Sequence, residues 1–273
     1  MEMKWGPSSS PFGLPSFSEL LRERYPDLHP QAGIVRMGDE KSGHPIEVPH
    51  GTTILSFRTA TGVIIAGDRM ATEGYQVADR RIDKVYETDS HSAMAIAGAA
   101  GPAIEMARLF KVEIEHYEKI EGERLGLVGK ANRLGAMIRQ NLPLAMQGLV
   151  VVPIFAGYDV AAKRGRIFKY DVTGGRYEDT EFYSTGSGGK DARGTLKRLY
   201  RRDLSDADGV RLAVEALFDA ADEDRATGGP DVMRGIFPTV KVITAEGIRD
   251  VSEDEVKQAV ETVIAHRKER GVA

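Results

Sequence analysis

The most informative absence in this sequence is cysteine, which does not occur among its 273 residues. Without it the chain has no disulfides, no thiolate metal ligands and no thiol nucleophile. No apolar run approaches the roughly 20 residues of a membrane-spanning helix, and the N-terminal stretch lacks the basic and apolar regions of a secretory signal. The net charge of −4 does not indicate nucleic acid or a membrane surface as partner. We therefore expect a cytoplasmic protein.

Histidine is scarce as well, and this limits the possible catalytic mechanisms. Beyond residue 51 only three occur, at His91, His116 and His266. Two stand between charged residues of predicted helices and one in a predicted turn, which is typical of solvated side chains. This distribution argues against a Ser-His-Asp triad. A covalent enzyme of this composition would have to use serine, threonine, lysine or a carboxylate.

Metal and phosphate sites are also disfavoured. The acidic run DAADEDRATGGPD contains no histidine and lacks EF-hand spacing, so a solvated helix end is the simpler interpretation. The glycine-rich TGSGGKDARG, residues 185–194, does not match a Walker motif, because Asp191 follows its lysine. We expect neither a metal nor a cofactor.

What the chain does have is a sharp change of composition near residue 51. The first 51 residues hold seven of the twelve prolines, the single tryptophan and three of the six histidines. Proline at this density predicts an extended, weakly packed arm. A disordered tail and a removable prosegment both fit this composition. Residues 52–273 are predicted to form the folded domain.

The pattern after residue 51 predicts an α+β fold. Consecutive β-branched runs, such as TTILSF and GVIIAG, predict strands joined by short turns. They alternate with pairs of amphipathic helices, in the order strands, two helices, strands, two helices, strands, helix. Runs of consecutive strands favour antiparallel sheets, and paired helices favour layers outside them. A four-layer α-β-β-α sandwich of two antiparallel sheets fits this order best.

The junction Gly51-Thr52 is where chemistry is expected. If the bond between these residues is cleaved, Thr52 carries a hydroxyl and a free α-amine on one residue. An α-amine titrates at about 7.7–8.0, so a useful fraction of it is a neutral base near pH 7. Such a site needs neither histidine nor cysteine. Asp68 and Lys84 are either an ordinary surface ion pair or the groups that favour ionisation of this hydroxyl. Gly98 is either a turn or an oxyanion donor.

At this point the motifs resemble a known family. HGTTILSF, GVIIAGDR, DKVY, AIAGAAG, TGSGG and GGPDVMRGIFPTV occur in an order that resembles 20S proteasome β subunits, in particular the actinobacterial type with a long prosegment. The resemblance covers residues 52–273. It implies an N-terminal-nucleophile hydrolase: a threonine endopeptidase, made as a precursor, that removes residues 1–51 by cutting between Gly51 and Thr52.

The resemblance also implies a role for individual residues. Thr52 would be the nucleophile and its freed amine the base, Asp68 and Lys84 the supporting pair, and Gly98 the oxyanion donor. Ser187 and Asp231 would hold the α-amine. Many β subunits have serine three residues after the aspartate that matches Asp231, whereas this chain has Arg234 there, so support of the amine is expected to differ in detail.

Substrate and partners follow from the same resemblance. Thr72 and Ala100 would pair with an extended substrate through their backbones. The first specificity pocket would be lined by Ala71, Ile82, Ile96 and Ala100, and this apolar lining predicts cleavage after hydrophobic residues. The partners would be proteasome α subunits and further β subunits in stacked seven-membered rings, with an ATPase ring delivering unfolded, often tagged proteins.

Three other interpretations remain at this stage. A two-ring threonine peptidase partnered by an unfoldase shares the Thr-Thr-Ile start, but its chains are shorter and usually have glycine where Arg69 stands. A non-catalytic ring subunit would lack the combination of Thr52, Asp68 and Lys84. For a small-molecule amidase of the same fold, the peptide-pairing positions would be coincidental.

Overall fold

The computed structural model describes residues 51–73, 76–269 and 271. The predicted prosegment, residues 1–51, lies outside this part of the chain except for Gly51. The strands are β1 (Thr53–Arg58), β2 (Gly62–Gly67), β3 (Ala71–Glu73), β4 (Gln76–Asp79), β5 (Val85–Asp89), β6 (Ser92–Gly98), β7 (Val151–Asp159), β8 (Arg164–Tyr170), β9 (Arg176–Asp179), β10 (Phe182–Gly186), β11 (Thr239–Thr244) and β12 (Gly247–Asp250). The helices are α1 (Ala100–Glu121), α2 (Leu127–Gln140), the short α3 (Leu142–Ala145), α4 (Gly189–Leu199), α5 (Asp206–Glu223) and α6 (Glu253–Glu269).

Two five-stranded sheets form the centre of the fold. One has the order β10-β1-β2-β11-β12 and the other β5-β6-β7-β8-β9, and neighbouring strands pair antiparallel in both. Strands β3 and β4 form a separate two-stranded ribbon. Within the described residues no helix combines the length and apolarity needed to cross a membrane.

Three buried clusters define the layers. Alternate residues of β1 face opposite sides of the first sheet, as the two-residue period of a strand requires. Leu55 and Phe57 pack with residues of α4, α5 and α6, whereas Ile54 packs against the second sheet, for example with Ala95 and Ile154. The other face of the second sheet buries Phe155 and Phe168 against α1 and α2. The predicted four-layer α-β-β-α sandwich is therefore confirmed.

Antiparallel pairing also brings the predicted site residues to one end of the sandwich. The start of β1 lies beside the end of β2 and the end of β10, as the pairs Ile54–Gly67 and Thr53–Gly186 show. The start of β5 lies opposite the middle of β6, with Val85 paired to Ala95. Thr52, Asp68, Lys84, Gly98 and Ser187 all stand at these strand ends.

The polar edge strands were not predicted. Strand β4 is exposed along its whole length, and β9, Arg176–Asp179, is short, charged and only partly buried. Neither carries the alternation of apolar and polar residues that identifies a half-buried strand. Their structure depends on pairing with a neighbouring strand, which no local pattern reveals.

Candidate active site

Thr52 lies immediately before β1 and is buried, with 4% of its surface exposed. Its backbone carbonyl accepts a hydrogen bond from the Ser187 N–H at 2.8 Å, and its own N–H donates to Ser187 Oγ at 3.3 Å. The preceding Gly186 has a φ of +99°, and a Cβ there would lie 2.0 Å from the Thr52 carbonyl oxygen. Only glycine fits this close approach. The glycine-rich turn therefore fixes both backbone groups of Thr52.

Asp68 follows β2 and is fully buried. One carboxylate oxygen accepts from the Thr53 N–H and from Lys84 Nζ, each at 2.7 Å. The other accepts from the backbone N–H groups of Met70 at 3.0 Å and Gly228 at 2.9 Å. Four donors thus stabilise the ionised carboxylate inside the protein.

Lys84 precedes β5, and it too is buried. Besides Asp68, its Nζ donates to the Met70 carbonyl at 2.6 Å and to the Gly51 carbonyl at 3.0 Å. All three ammonium protons therefore have acceptors. Burial lowers the pKa of Lys84 below its usual value, and the Asp68 carboxylate opposes this shift. The ammonium form of Lys84 thus depends on Asp68.

The Gly51 carbonyl oxygen is where two donors converge. Thr52 Oγ1 lies 2.5 Å from it and Lys84 Nζ 3.0 Å from it. A cation and a hydroxyl at one carbonyl oxygen polarise the group and stabilise negative charge that develops there. The hydroxyl expected to attack the carbonyl carbon of Gly51 donates a hydrogen bond to its oxygen.

The space around Gly51 excludes a side chain. A Cβ at this position would lie 2.4 Å from the Ala226 carbonyl oxygen and 2.6 Å from Thr72 Oγ1. Real Cβ atoms do not approach other atoms this closely, so a larger residue would displace the Gly51 backbone from its present contacts. The glycine before Thr52 is a steric requirement of the site.

Gly98 ends β6 in the left-handed half of backbone space, with a φ of +124°. A Cβ there would lie 2.0 Å from the Val150 carbonyl oxygen, so the position requires glycine on both grounds. Gly98 borders the same pocket as Thr52. This position is compatible with the predicted donation to an oxyanion, a role that stays a prediction.

One pocket brings the predicted nucleophile and the predicted specificity residues together. Ala71, Ile82, Ile96 and Ala100 all border it, beside Thr52. Thr72 is not among its lining residues; its hydroxyl lies instead toward Gly51. Sequence reasoning missed four further lining residues, Asp83, Tyr86, Ala103 and Ile104. The last two lie on α1, where Ala103 is buried and Ile104 is 49% exposed.

Comparison with known proteins shows which family this sequence matches. Residues 48–234 match the family model described as proteasome subunit. The chain belongs to the proteasome subunit family. Similar proteins named proteasome subunit beta occur in Acidothermus cellulolyticus, at 54% identity over 93% of this chain and 88% of the relative, and in Acidimicrobium ferrooxidans, at 52% identity over 94% and 92%. A third, in Streptomyces griseus, is 50% identical over 94% of this chain and 90% of its own length.

The resemblance inferred from the motifs is thereby confirmed. It runs over nearly the whole length of these relatives, and the fold is the sandwich expected of an N-terminal-nucleophile hydrolase. Family membership also supports the predicted enzyme class, a threonine peptidase. The roles of individual residues are a separate question, which the geometry of the site addresses.

The predicted site residue Asp231 is bound within its own turn of this proteasome subunit fold. Its carboxylate accepts from the Arg234 guanidinium at 2.6 Å and from the Arg234 N–H at 3.0 Å, and these bonds hold the pKa of Asp231 below its usual value. The hydrogen bonds of the described residues link Asp231 neither to Thr52 nor to Ser187. These hydrogen bonds stabilise the turn of Asp231 itself and give no support to the expectation that it holds the Thr52 amine.

A different pair from the same loop reaches the site. Thr227 Oγ1 donates to Asp224 Oδ2 at 2.6 Å and lies 2.6 Å from Thr53 Oγ1. The Asp224 carboxylate also favours the charged form of Lys84. Both residues belong to the acidic run that we interpreted as a solvated helix end. The sequence did contain a signal for a structured loop. A threonine followed by two glycines stands shortly after that helix, and this pattern is typical of a sharp backbone turn rather than of a solvated helix end.

Proposed function

We propose that this chain is the precursor of a catalytic proteasome β subunit, which cuts its own Gly51–Thr52 bond and then hydrolyses peptide bonds of unfolded proteins. The observation that carries the proposal is the convergence of Thr52 Oγ1 and Lys84 Nζ on the Gly51 carbonyl oxygen, beside the buried Asp68. A non-catalytic ring subunit would have no need for a buried lysine at this carbonyl.

Self-cleavage begins with attack of Thr52 Oγ on the Gly51 carbonyl carbon. The hydroxyl proton leaves, the carbonyl oxygen becomes negative, and Lys84 Nζ lies where this charge develops. Collapse breaks the carbon–nitrogen bond, and the proton given up by the hydroxyl is transferred to the Thr52 nitrogen, which becomes an amine. The acyl group is now an ester on Oγ. Water hydrolyses this ester, which releases residues 1–51 with a C-terminal carboxylate and leaves Thr52 with a free amine.

The mature site uses the amine as its base. The neutral amine accepts the hydroxyl proton as Oγ attacks a substrate carbonyl, and it later delivers that proton to the leaving amine. The Lys84 cation favours the ionised hydroxyl. Ser187, which contacts the Thr52 nitrogen, would hold the amine in place, and Gly98 would donate to the oxyanion. We assign to Asp224 and Thr227 the outer support first expected from Asp231.

The pocket supports the predicted substrate preference. Its predicted lining, Ala71, Ile82, Ile96 and Ala100, is apolar, and Ala103 and Ile104 extend that surface. We propose that it receives the side chain preceding the cleaved bond and favours hydrophobic residues there. Thr72 and Ala100 flank the approach to Thr52, where an extended peptide would pair with their backbones.

As a member of the proteasome subunit family the chain is expected to assemble in rings. We propose α subunits and further copies of the β subunit as partners in stacked seven-membered rings, an ATPase ring that delivers unfolded protein, and the cytoplasm as location. Residues 1–51 would form the prosegment, and residues 52–273 the catalytic domain.

Intact mass tests the proposal directly. The chain is assembled with an α subunit and compared with a Thr52→Ala version. We expect the native chain to begin at Thr52, and the variant, which has no hydroxyl to attack Gly51, to keep all 273 residues. Equal full-length masses for both proteins in assembled rings would reject self-cleavage and leave a structural ring subunit.

Gly51→Ala should impair the same step for a steric reason. The added methyl group would meet the Ala226 carbonyl and Thr72 Oγ1, and displacement of the attacked carbonyl by about 1 Å costs on the order of 100-fold in rate. A time course of intact mass after mixing with α subunits measures the rate. Gly101→Ala is the matched control, since a Cβ there meets nothing within 4 Å. Native processing of Gly51→Ala would contradict the steric argument.

A further inference from the structure

A second pocket adjoins the residues that hold Asp68 and Lys84. Met70 and Gly228 line it. Both donate their backbone N–H to Asp68, and the Met70 carbonyl accepts from Lys84 Nζ. The second pocket shares no lining residue with the apolar pocket. The catalytic groups therefore have two separate pockets beside them.

The second pocket is lined by arginine rather than by apolar residues alone. Arg69 and Arg80 border it, and its one acidic lining residue, Asp231, is already bound by Arg234. Arg69 pairs with Asp83 at 3.2 Å through one terminal nitrogen, while its buried Nε has no hydrogen-bond partner within the described part of the chain.

Arg80 supplies the other cation that lines the pocket. It is exposed. Its positive charge helps to lower the pKa of Asp231, whose carboxylate already pairs with Arg234. Among the described residues Arg80 has no carboxylate partner of its own. Arg81, the next residue, donates to the Arg234 carbonyl at 3.2 Å, which adds another positive charge nearby. Ile236, Phe237 and Pro238 supply an apolar wall behind these cations.

This pocket, we infer, binds an acidic side chain of the leaving peptide, meaning one of the first two residues after the cleaved bond. The inference rests on the proposed function, in which the apolar pocket beside Thr52 receives the residue before that bond. The second pocket, which lies beside the same catalytic groups, then receives a residue that follows the bond. Guanidinium groups bind carboxylates through paired N–H donors, so aspartate or glutamate fits it best.

Matched peptides that differ only after the cleaved bond test this subsite. Internally quenched peptides share one hydrophobic residue before the cleaved bond and carry glutamate, glutamine or lysine at the two positions after it. For the assembled native protein we expect kcat/KM to decrease in the order glutamate, glutamine, lysine, by about two- to fivefold per step, as is typical of exposed charge pairs. Arg80→Ala should remove most of this preference and Arg80→Glu should reverse it. Arg108→Ala, at an exposed position of α1, should leave it unchanged.

A substrate without a leaving peptide separates this inference from the proposed function. A short peptide amide of a fluorescent dye has the hydrophobic residue but nothing comparable after the bond. Its hydrolysis should be the same for the native protein and both Arg80 variants. No turnover of any substrate by the native protein would reject the proposed function. Dye-amide turnover without a preference for glutamate, or with a preference that survives in Arg80→Glu, would reject the acidic subsite alone.

Discussion

Lys84→Ala is expected to leave the chain at its full length and to abolish peptide hydrolysis. Among the residues that the structure describes, the ammonium is the one cation bonded to the Gly51 carbonyl oxygen, and it also lies against Asp68, which binds the backbone next to Thr52. Its loss removes stabilisation of the oxyanion in self-cleavage and raises the pKa of the Thr52 hydroxyl in the mature enzyme. Because losing one such group costs on the order of 10²–10³-fold, the two effects together should exceed that range.

The two roles of Lys84 can be measured separately. A chain that begins at Thr52, released from a fusion by a specific protease, has its free amine without self-cleavage. Lys84→Ala in this chain should still lack activity toward a dye amide, although it assembles. Lys84→Arg should not restore activity, since three acceptors surround a single nitrogen and the planar guanidinium does not fit them. Lys111→Ala, at an exposed position of α1, is the control. Normal turnover by Lys84→Ala would remove Lys84 from the mechanism.

The central part of this site was predictable because it follows from strand ends. Thr52 and Asp68 each stand next to an apolar run that is recognisable in the sequence, and Lys84 directly precedes strand β5. Once those runs are antiparallel strands of two stacked sheets, their ends meet at one edge. The family resemblance then fixed which end carries the chemistry. The sandwich was predictable for the same reason, since its core strands have strong periodicity.

The outer part of the site was not predictable in the same way. Asp231 and Asp224 stand in one loop, seven residues apart, and no local pattern says which carboxylate turns toward Lys84. The choice depends on contacts made after folding: Arg234 binds Asp231, whereas Thr227 connects Asp224 to Thr53. The same applies to Asp83 and Tyr86 at the pocket, where the Tyr86 hydroxyl donates to the Asp83 carbonyl at 2.5 Å. Of these contacts, the one between Thr227 and Thr53 joins residues 174 positions apart, which only the tertiary structure brings together.

Asp68→Asn is the change expected to have the second large effect, although it conserves size. Both carboxylate oxygens accept from two N–H donors each. An amide NH₂ in place of either oxygen would face two donors and leave them unsatisfied. Lys84 would also lose its counter-ion while remaining buried. Breaking a buried ion pair by removing one partner typically costs about 3–5 kcal/mol, so a lower unfolding temperature should accompany the loss of self-cleavage.

The pH dependence separates an electrostatic role of Asp68 from a purely structural one. Burial lowers the pKa of Lys84, and Asp68 is the first of the groups that raise it. In Asp68→Asn the pKa of Lys84 should fall further, so the ammonium form is lost at a lower pH. Residual dye-amide hydrolysis by a chain that begins at Thr52 should then decline at lower pH than in the native enzyme. Asp203→Asn, whose side chain is 88% exposed, should change neither activity nor the profile. If the activity of Asp68→Asn is lower but declines at the same alkaline pH as that of the native enzyme, Asp68 only orders the backbone.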